Sequence, residues 1–423
     1  MSLPLYAPVE VSTRDFLWKL FYFYETDIFT SLVIGHHPKV NKIATSVGGG
    51  AYIGKNTVKA SLNDLTSRLS AALSQSKCFL VHHDEEGGLL TQHPSLRSSV
   101  WIVRHPLDLL PIDSCSVVWG QDAFDTLSAF YPDHRSKLLN LGALRFDLYH
   151  PRFIELLMTI GQKVNLAPRD YKLIFSNFSL ATTHTMTSHI KSPDLPFISE
   201  LTALKNLTLN SMSDYSAFYG LVDQLSAFSA SSNLLLKPHP AENIYLYTLL
   251  SQFIPNLNLV SATLFNSVPV LLRSASDVVC SRCTTLVESI LSGKPTSNIV
   301  TSVDAYSLLN ASPVQFKSDK FYDLHYLGKL DIDSMFSLLR PLIANLDHLN
   351  SFTELNAYLA GLPLKPVSSI TLHSVAKLLS FAKSTSSPKF IPFDLSCTHL
   401  LDVLNLLGLT LVCQSSDLLV ISK

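Results

Sequence analysis

Cys78-Phe79-Leu80-Val81-His82-His83-Asp84-Glu85-Glu86-Gly87-Gly88 runs from an apolar segment straight into three carboxylates and two glycines. The residues Cys78 to Val81 read as a buried strand, and the repeat Leu62, Leu65, Leu69, Leu73 before them reads as one face of a helix. A helix feeding a short buried strand that opens on a polar loop is the unit of a parallel α/β sheet. Working outward, the same unit recurs. Leu3 to Val11 is a predicted strand. After it Thr13 is placed to cap a helix with Phe16, Leu17, Leu20, Phe21 and Tyr24 on one face. Ser31 to Gly35 and Ala51 to Ile53 are further strands, the latter behind a Gly48-Gly49-Gly50 turn. Downstream, Cys115 to Trp119 opens on Gly120-Gln121-Asp122 and a helix through Phe130, and Leu138 to Leu141 follows.

The plan repeats from Tyr171. Lys172 to Phe175 is a predicted strand ending at Ser176-Asn177. Ser179 to Ser199 is rich in Ser, Thr and His, and a helical segment runs to about Ala230. Leu234 to Lys237 leads into Pro238-His239-Pro240, where the prolines stop the strand. Asp277 to Cys280 is the next strand. A helix follows from Thr284-Thr285 through Leu286, Val287, Ile290 and Leu291, closed by Gly293 and Pro295. The expectation is an α/β protein of two Rossmann-like domains facing across a cleft. Residues 1–165 form the first, 166–345 the second, and 346–423 a small C-terminal extension that packs back on the core and ends in a helix and a hairpin.

Composition narrows the class. The chain has 423 residues, 47% hydrophobic and 15% charged, so it is long enough for two domains and too apolar for general disorder. Lys plus Arg, 32, nearly cancels Asp plus Glu, 33, leaving a net charge of -1 and no global footprint for nucleic acid. The opening residues lack a charged segment followed by a long apolar one, and the apolar stretch Leu400 to Val412 is too short to span a bilayer. No signal and no transmembrane helix are expected, which places the chain in the cytoplasm. Six scattered cysteines suit reduced thiols, and the Cys280-x-x-Cys283 pair lacks the two further ligands of a zinc site.

Three loops carry the chemistry, each predicted at the carboxyl end of a strand, where α/β proteins bind ligands. Asp84, Glu85 and Glu86 crowd like charges, which raises the pKa of at least one and suits a general base, although a solvated acidic turn has the same letters. Lys237 and His239 present a cation and an imidazole from a backbone stiffened by two prolines. Thr284 and Thr285 set two hydroxyls at a helix start, an anion site in form and an ordinary N-cap otherwise. Asp331-Ile332-Asp333 has the letters of a metal-binding Asp-X-Asp but lies in a Leu-rich helical context, so it reads as a helix start and no metal site is expected.

Taken together these loops resemble the three-motif pattern of bacterial sialyltransferases and Kdo transferases. The chain is most similar to bacterial surface carbohydrate biosynthesis proteins, relatives of the capsule and lipopolysaccharide Kdo transferases. The resemblance spans most of residues 3 to 300. It rests on Leu5-Tyr6-Ala7-Pro8-Val9-Glu10 with Arg14, Ile34-Gly35, Asp84-Glu85-Glu86-Gly87, Trp119-Gly120-Gln121-Asp122, Arg145-Phe146-Asp147, and Ser176-Asn177-Phe178. It continues with Lys237-Pro238-His239-Pro240-Ala241-Glu242 and Cys283-Thr284-Thr285 through Glu288 to Gly293-Lys294-Pro295. Gly142-Ala143-Leu144 stands where the family usually has Gly-Asn-Pro.

The resemblance implies a GT-B glycosyltransferase that moves Kdo or another nonulosonic sugar from a CMP-activated donor to a surface polysaccharide or glycolipid, with no cofactor and no metal. Glu85, with Glu86 or Asp84, would serve as base or nucleophile, and His239 would support the departing phosphate. Ser176, Asn177, Lys237, His239, Glu242, Thr284 and Thr285 fall on the donor side, and Arg14, Gly87, Gln121 and Arg145 on the acceptor side. Work at the inner face of the cytoplasmic membrane, through peripheral association, is compatible with that acceptor. The competing readings are a transferase using CDP-glycerol or a UDP-sugar, and a catalytically silent protein of the same fold that binds glycan.

Overall fold

The computed structural model describes residues 1–55, 65–85, 94–163, 170–176, 221–222, 225–226, 228–230, 232–239, 242, 244–260, 265–280, 284–301, 314–317, 325–329, 332–380 and 398–423. Among them the chain forms two α/β halves. In the first, β1 (Pro4–Val9), β2 (Ser31–His36), β3 (Ala51–Gly54), β4 (Phe79–His83), β5 (Ser114–Val118) and β6 (Leu138–Asn140) pair in parallel in the order β2-β1-β3-β4-β5-β6. Helices cover both faces of such a sheet, so its strands carry apolar side chains on both sides, as the uninterrupted burial of β1, β2, β3 and β5 shows.

The second half holds β7 (Tyr171–Phe175), β8 (Asn233–Lys237), β9 (Leu257–Leu259), β10 (Ala275–Cys280), β11 (Thr296–Thr301), β12 (Val314–Lys317) and β13 (His325–Lys329). Their order is β12-β13-β11-β10-β7-β8-β9, parallel from β11 to β9, with β13 and β12 added antiparallel at the edge. Two Rossmann-like sheets in one chain match the two α/β units expected above. One continuous hydrophobic cluster runs from Tyr6, Trp119, Phe146 and Tyr149 in the first half to Tyr171, Leu271, Leu286 and Ile290 in the second.

The C-terminal extension returns to the first half. At Pro341 to Ala344 the chain crosses the end of β5, where Ala344 N–H donates to the Trp119 carbonyl at 2.5 Å and Asp122 N–H to that of Pro341 at 3.0 Å. Gly120 is required there, since a Cβ would collide with the Leu342 backbone. Gly142, at φ 85°, takes a left-handed turn against Ala344. The next helix, Ser351–Ala360, is capped by Asp147, whose carboxylate accepts from the N–H groups of Ser351 at 3.1 Å and Phe352 at 2.6 Å. Finally β14 (Thr410–Ser415) and β15 (Leu418–Ser422) form a hairpin, and β15 pairs antiparallel with β2.

The helix α1 (Ser12–Glu25) departs from expectation in two ways. Thr13 is not its cap, because the helix has already begun at Ser12. The Asp15 carboxylate reaches back instead, accepting from Val11 N–H at 2.8 Å and Glu10 N–H at 3.2 Å, and a negative charge suits the positive end of the helix dipole. The apolar face is also wider than expected. Trp18, Tyr22 and Phe23 are buried while Tyr24 is exposed, since the C-terminal helices cover the side turned away from the sheet; Tyr22 stacks edge-on against Phe352 at 5.3 Å. A third difference concerns β4, which continues to His83 and so places His82 and His83 inside the sheet rather than in its exit loop.

Candidate active site

Each sheet has a topological switch point, the place where strand order reverses and a crevice opens at the carboxyl ends of the strands. In the first sheet it lies between β1 and β3. Glu10, just past β1, and Lys55, just past β3, pair there at 2.7 Å. Beside them β4 delivers Asp84 and Glu85. In the second sheet the switch lies between β7 and β10, so Ser176, Lys237 with His239, and Thr284 gather at those strand ends.

Glu85 sits in a buried network of charge. It is 2% exposed, pairs with Lys19 Nζ at 2.6 Å and accepts from Arg14 Nη2 at 3.3 Å. Lys19, equally buried, also donates to the Pro8 carbonyl and lies over the Trp18 ring. Arg14 Nε binds Asp15 at 2.5 Å. Burial raises the Glu85 pKa, and the neighbouring Asp15 charge raises it further, against the pull of Lys19 and Arg14. For Asp15 burial pushes the same way, but Arg14 and Lys19 hold its carboxyl well below the usual range. Asp84 is committed elsewhere, to Arg104 Nη1 at 3.0 and 3.1 Å, and its carbonyl accepts from Trp119 Nε1 at 2.5 Å.

Arg145 joins the two halves. It donates from Nη1 to the Glu85 carbonyl, packs on Trp119 and Phe146, and contacts Glu288 of the second half through Nε at 3.3 Å. Tyr149 Oη donates to the other Glu288 oxygen at 2.6 Å. Glu288 lies in the helix Thr285–Leu291 that follows β10, and its charge also faces Lys237. Desolvation pushes the Lys237 ammonium down to about 8, and Glu288 opposes that shift.

The His239 loop is held by Glu242. One Glu242 oxygen accepts from Ser176 Oγ and from His239 N–H, both at 2.6 Å, and the other from Tyr247 Oη at 2.6 Å. Ser176 and Glu242, both expected on the donor side, therefore meet each other and set the loop that carries His239. Thr284 adopts helical angles and makes no side-chain capping bond, and Thr285 begins the helix. Gln121 lies apart from these groups in the first turn of the helix Gln121–Phe130, bonded to Asp125 at 2.8 Å and Asn140 at 2.9 Å. Glu86, Gly87 and Asn177 fall outside the described residues. Of the expected site, Arg14, Glu85 and Arg145 meet at one crevice, and Lys237, His239, Ser176 and Glu242 at the other.

Sequence reasoning missed Lys19, Asp15, Arg104 and Tyr149, and gave Glu288 no role. Lys19 had a signal. It is the single charge in Phe16-Leu17-Trp18-Lys19-Leu20-Phe21-Tyr22-Phe23, where an unpaired ammonium would be too costly to bury. Glu288 likewise sits among the apolar residues of its helix. Among the described residues, no group of three His, Cys, Asp or Glu side chains comes together as a metal site, and no helix is long and apolar enough to cross a membrane.

No protein-family model matches the chain, and no curated protein matches it significantly. Among solved structures it is similar to the wall teichoic acid polymerase TagF, over 73% of this chain and 72% of that one, at 11% identity and a TM-score of 0.39. A variant of TagF gives 10% identity over the same shares and a TM-score of 0.41. Superpositions this loose add nothing to the strand order, and it is the strand order that defines the two-sheet fold.

Proposed function

We propose that the chain is a glycosyltransferase that takes Kdo or another nonulosonic sugar from a CMP-activated donor and adds it to a surface polysaccharide or glycolipid. The observation that carries this reading is the joint itself. Two switch-point crevices, one lined by Glu85 and Arg14 and the other by Lys237 and the His239 loop, are tied together by Arg145 and Tyr149 on Glu288. A group-transfer enzyme needs both sides. The activated carbon already carries a leaving phosphate, so the protein must hold that phosphate as charge develops and take a proton from the acceptor hydroxyl.

His239 and Lys237 suit the phosphate, and Ser176 and Glu242 fix the loop between them. The acidic loop suits the acceptor. There the raised pKa of Glu85 brings its basicity toward neutrality, and its burial between Lys19 and Arg14 fixes its position. The test is thermal stabilisation by CMP-, CDP-, UDP- and GDP-activated compounds, followed by turnover of the one that binds. A CMP-sugar should raise the melting temperature most, by mass action. His239→Ala should then lower turnover on the order of a hundredfold, the loss of one charge-assisted hydrogen bond in a transition state. Preference for CDP-glycerol would move the reading to polyol-phosphate transfer. No response to any nucleotide, with native folding, would discard the transferase reading.

A further inference from the structure

The hydrogen-bonding capacity at the joint is unevenly spent. All four carboxylate oxygens there are engaged: Glu288 forms an ion pair with Arg145 through one oxygen and accepts from Tyr149 on the other, and Glu242 accepts from Tyr247 on one oxygen and from Ser176 and His239 N–H on the other. The donors are not exhausted. Arg145 is 4% exposed, yet neither its Nε nor its Nη2 has a hydrogen-bond partner. Lys237 sits at the end of β8, half-buried, and among the described residues its ammonium makes no hydrogen bond or ion pair, with Glu288 acting on it only at longer range.

A guanidinium can donate five hydrogen bonds and an ammonium three, and a charged donor left buried without a partner is costly. Where acceptors are used up and cationic donors are spare, the missing component is an acceptor-rich group of negative charge, and guanidinium geometry matches carboxylate and phosphate alike. We infer that Arg145 and Lys237 together hold an oxyanion, a phosphate or a carboxylate of the ligand that bridges the two halves, so that Arg145 belongs to ligand recognition as well as to the tie between the halves. This deepens the transferase reading. A CMP-activated nonulosonic acid carries both kinds of oxyanion, whereas CDP-glycerol carries only phosphate. A site that reads the carboxylate would therefore choose the donor.

The experiment is calorimetric titration of inorganic pyrophosphate, CMP, CMP-N-acetylneuraminate and CDP-glycerol into the full chain and three variants. Lys237→Met removes a cation that makes no hydrogen bond, so the fold should survive it. Arg145→Lys keeps the charge and loses the fork. Lys172→Met serves as the control, since Lys172 pairs with Asp277 near the amino ends of β7 and β10 and changes net charge equally. Lys237→Met is expected to weaken oxyanion binding tenfold or more, and Lys172→Met to leave it unchanged. If Arg145→Lys removes only the extra affinity of CMP-N-acetylneuraminate over CMP, Arg145 reads the carboxylate. Equal losses for pyrophosphate and CMP would assign it to phosphate. Binding that is the same in Lys237→Met as in the native chain, or no binding of any of the four compounds, overturns the inference. The two proposals fail separately. Nucleotide binding that ignores Lys237 sinks this one alone, while pyrophosphate binding that needs Lys237, without any gain from a nucleotide, sinks the transferase reading alone.

Discussion

Lys19 shows how much a single side chain can decide. Its ammonium and the Glu85 carboxylate are each 2% exposed and 2.6 Å apart, so neither has water to fall back on. Removing one member of a buried pair strands the other, which typically costs about 3 to 5 kcal/mol, whereas removing both costs far less. Lys19→Met should therefore lower stability to urea by about that amount. The double variant Lys19→Met with Glu85→Gln should recover much of it. If the two single costs simply add, the pair is not coupled and the 2.6 Å contact is incidental. The same residue marks where reading the sequence succeeds and where it stops. One lysine among seven apolar neighbours announces a buried partner, but nothing local in α1 names Glu85, which lies 66 residues away just past the end of β4. Glu85 was legible because it stands in an acidic loop after a buried run, and its partner was not because the contact between a helix and the loop at a strand's end is a tertiary fact.

At the scale of the element, β4 is the clearest case. Its apolar start was read correctly and its end was placed two residues early, because histidine looks like a loop residue when the neighbouring strands are out of view. In the sheet His82 Nε2 donates to the Arg104 carbonyl at 2.8 Å, and His105, edge-on to it at 5.3 Å, meets Ser116 Oγ at 2.8 Å. His83 packs edge-on against Trp18 at 5.6 Å. Burial holds all three rings neutral, lowering the pKa of His82 and pushing His83 and His105 down to about 3. The direction of linkage follows. An unfolded histidine takes a proton near pH 6.5 and these folded ones do not, so acidification below that value favours the unfolded chain. Stability should fall between pH 6.5 and 4, with His83 and His105 each contributing on the order of 2 kcal/mol by pH 5. Asp147, whose burial pushes it up to about 6, works in the opposite sense, since its folded form gains a proton first. Urea midpoints at pH 7 and pH 5 for the native chain and for His105→Gln separate these. The variant should lose a share of the slope, and an identical slope would mean that His105 already carries a proton when folded.

Across the whole molecule, the two α/β halves were legible because parallel strands buried on both faces leave runs such as Ser31 to Gly35 and Leu234 to Lys237, and because their polar exits follow at once. The hairpin near the end was legible as a hairpin, but its place was not. Nothing in Thr410 to Ser422 says which edge it joins, since an antiparallel partner needs only an alternating or apolar strand and an open neighbour. The structure sets β15 against β2, in register from Ser422 opposite Ser31 to Leu418 opposite Gly35, with Asp417 buried against Lys39 at 2.6 Å. Leu418, Leu419, Val420 and Ile421 are each 0% exposed. Burying four such side chains contributes about 6 to 12 kcal/mol, comparable with the whole net stability of an ordinary domain. A chain ended after Leu409 should therefore fail to fold as a monomer. It would lose that burial and also leave β2 as a bare edge, inviting another copy to pair there. Size-exclusion chromatography and circular dichroism of the shortened chain test this, with Asp417→Ala in the full chain as the milder comparison that breaks one buried pair and keeps the strand. The shortened chain should aggregate or unfold, and Asp417→Ala should stay monomeric with a lower melting temperature. A shortened chain that remained monomeric and melted with the native one would show that β1 to β6 stand without the hairpin, and that the eight-stranded sheet is not what holds the first crevice in place.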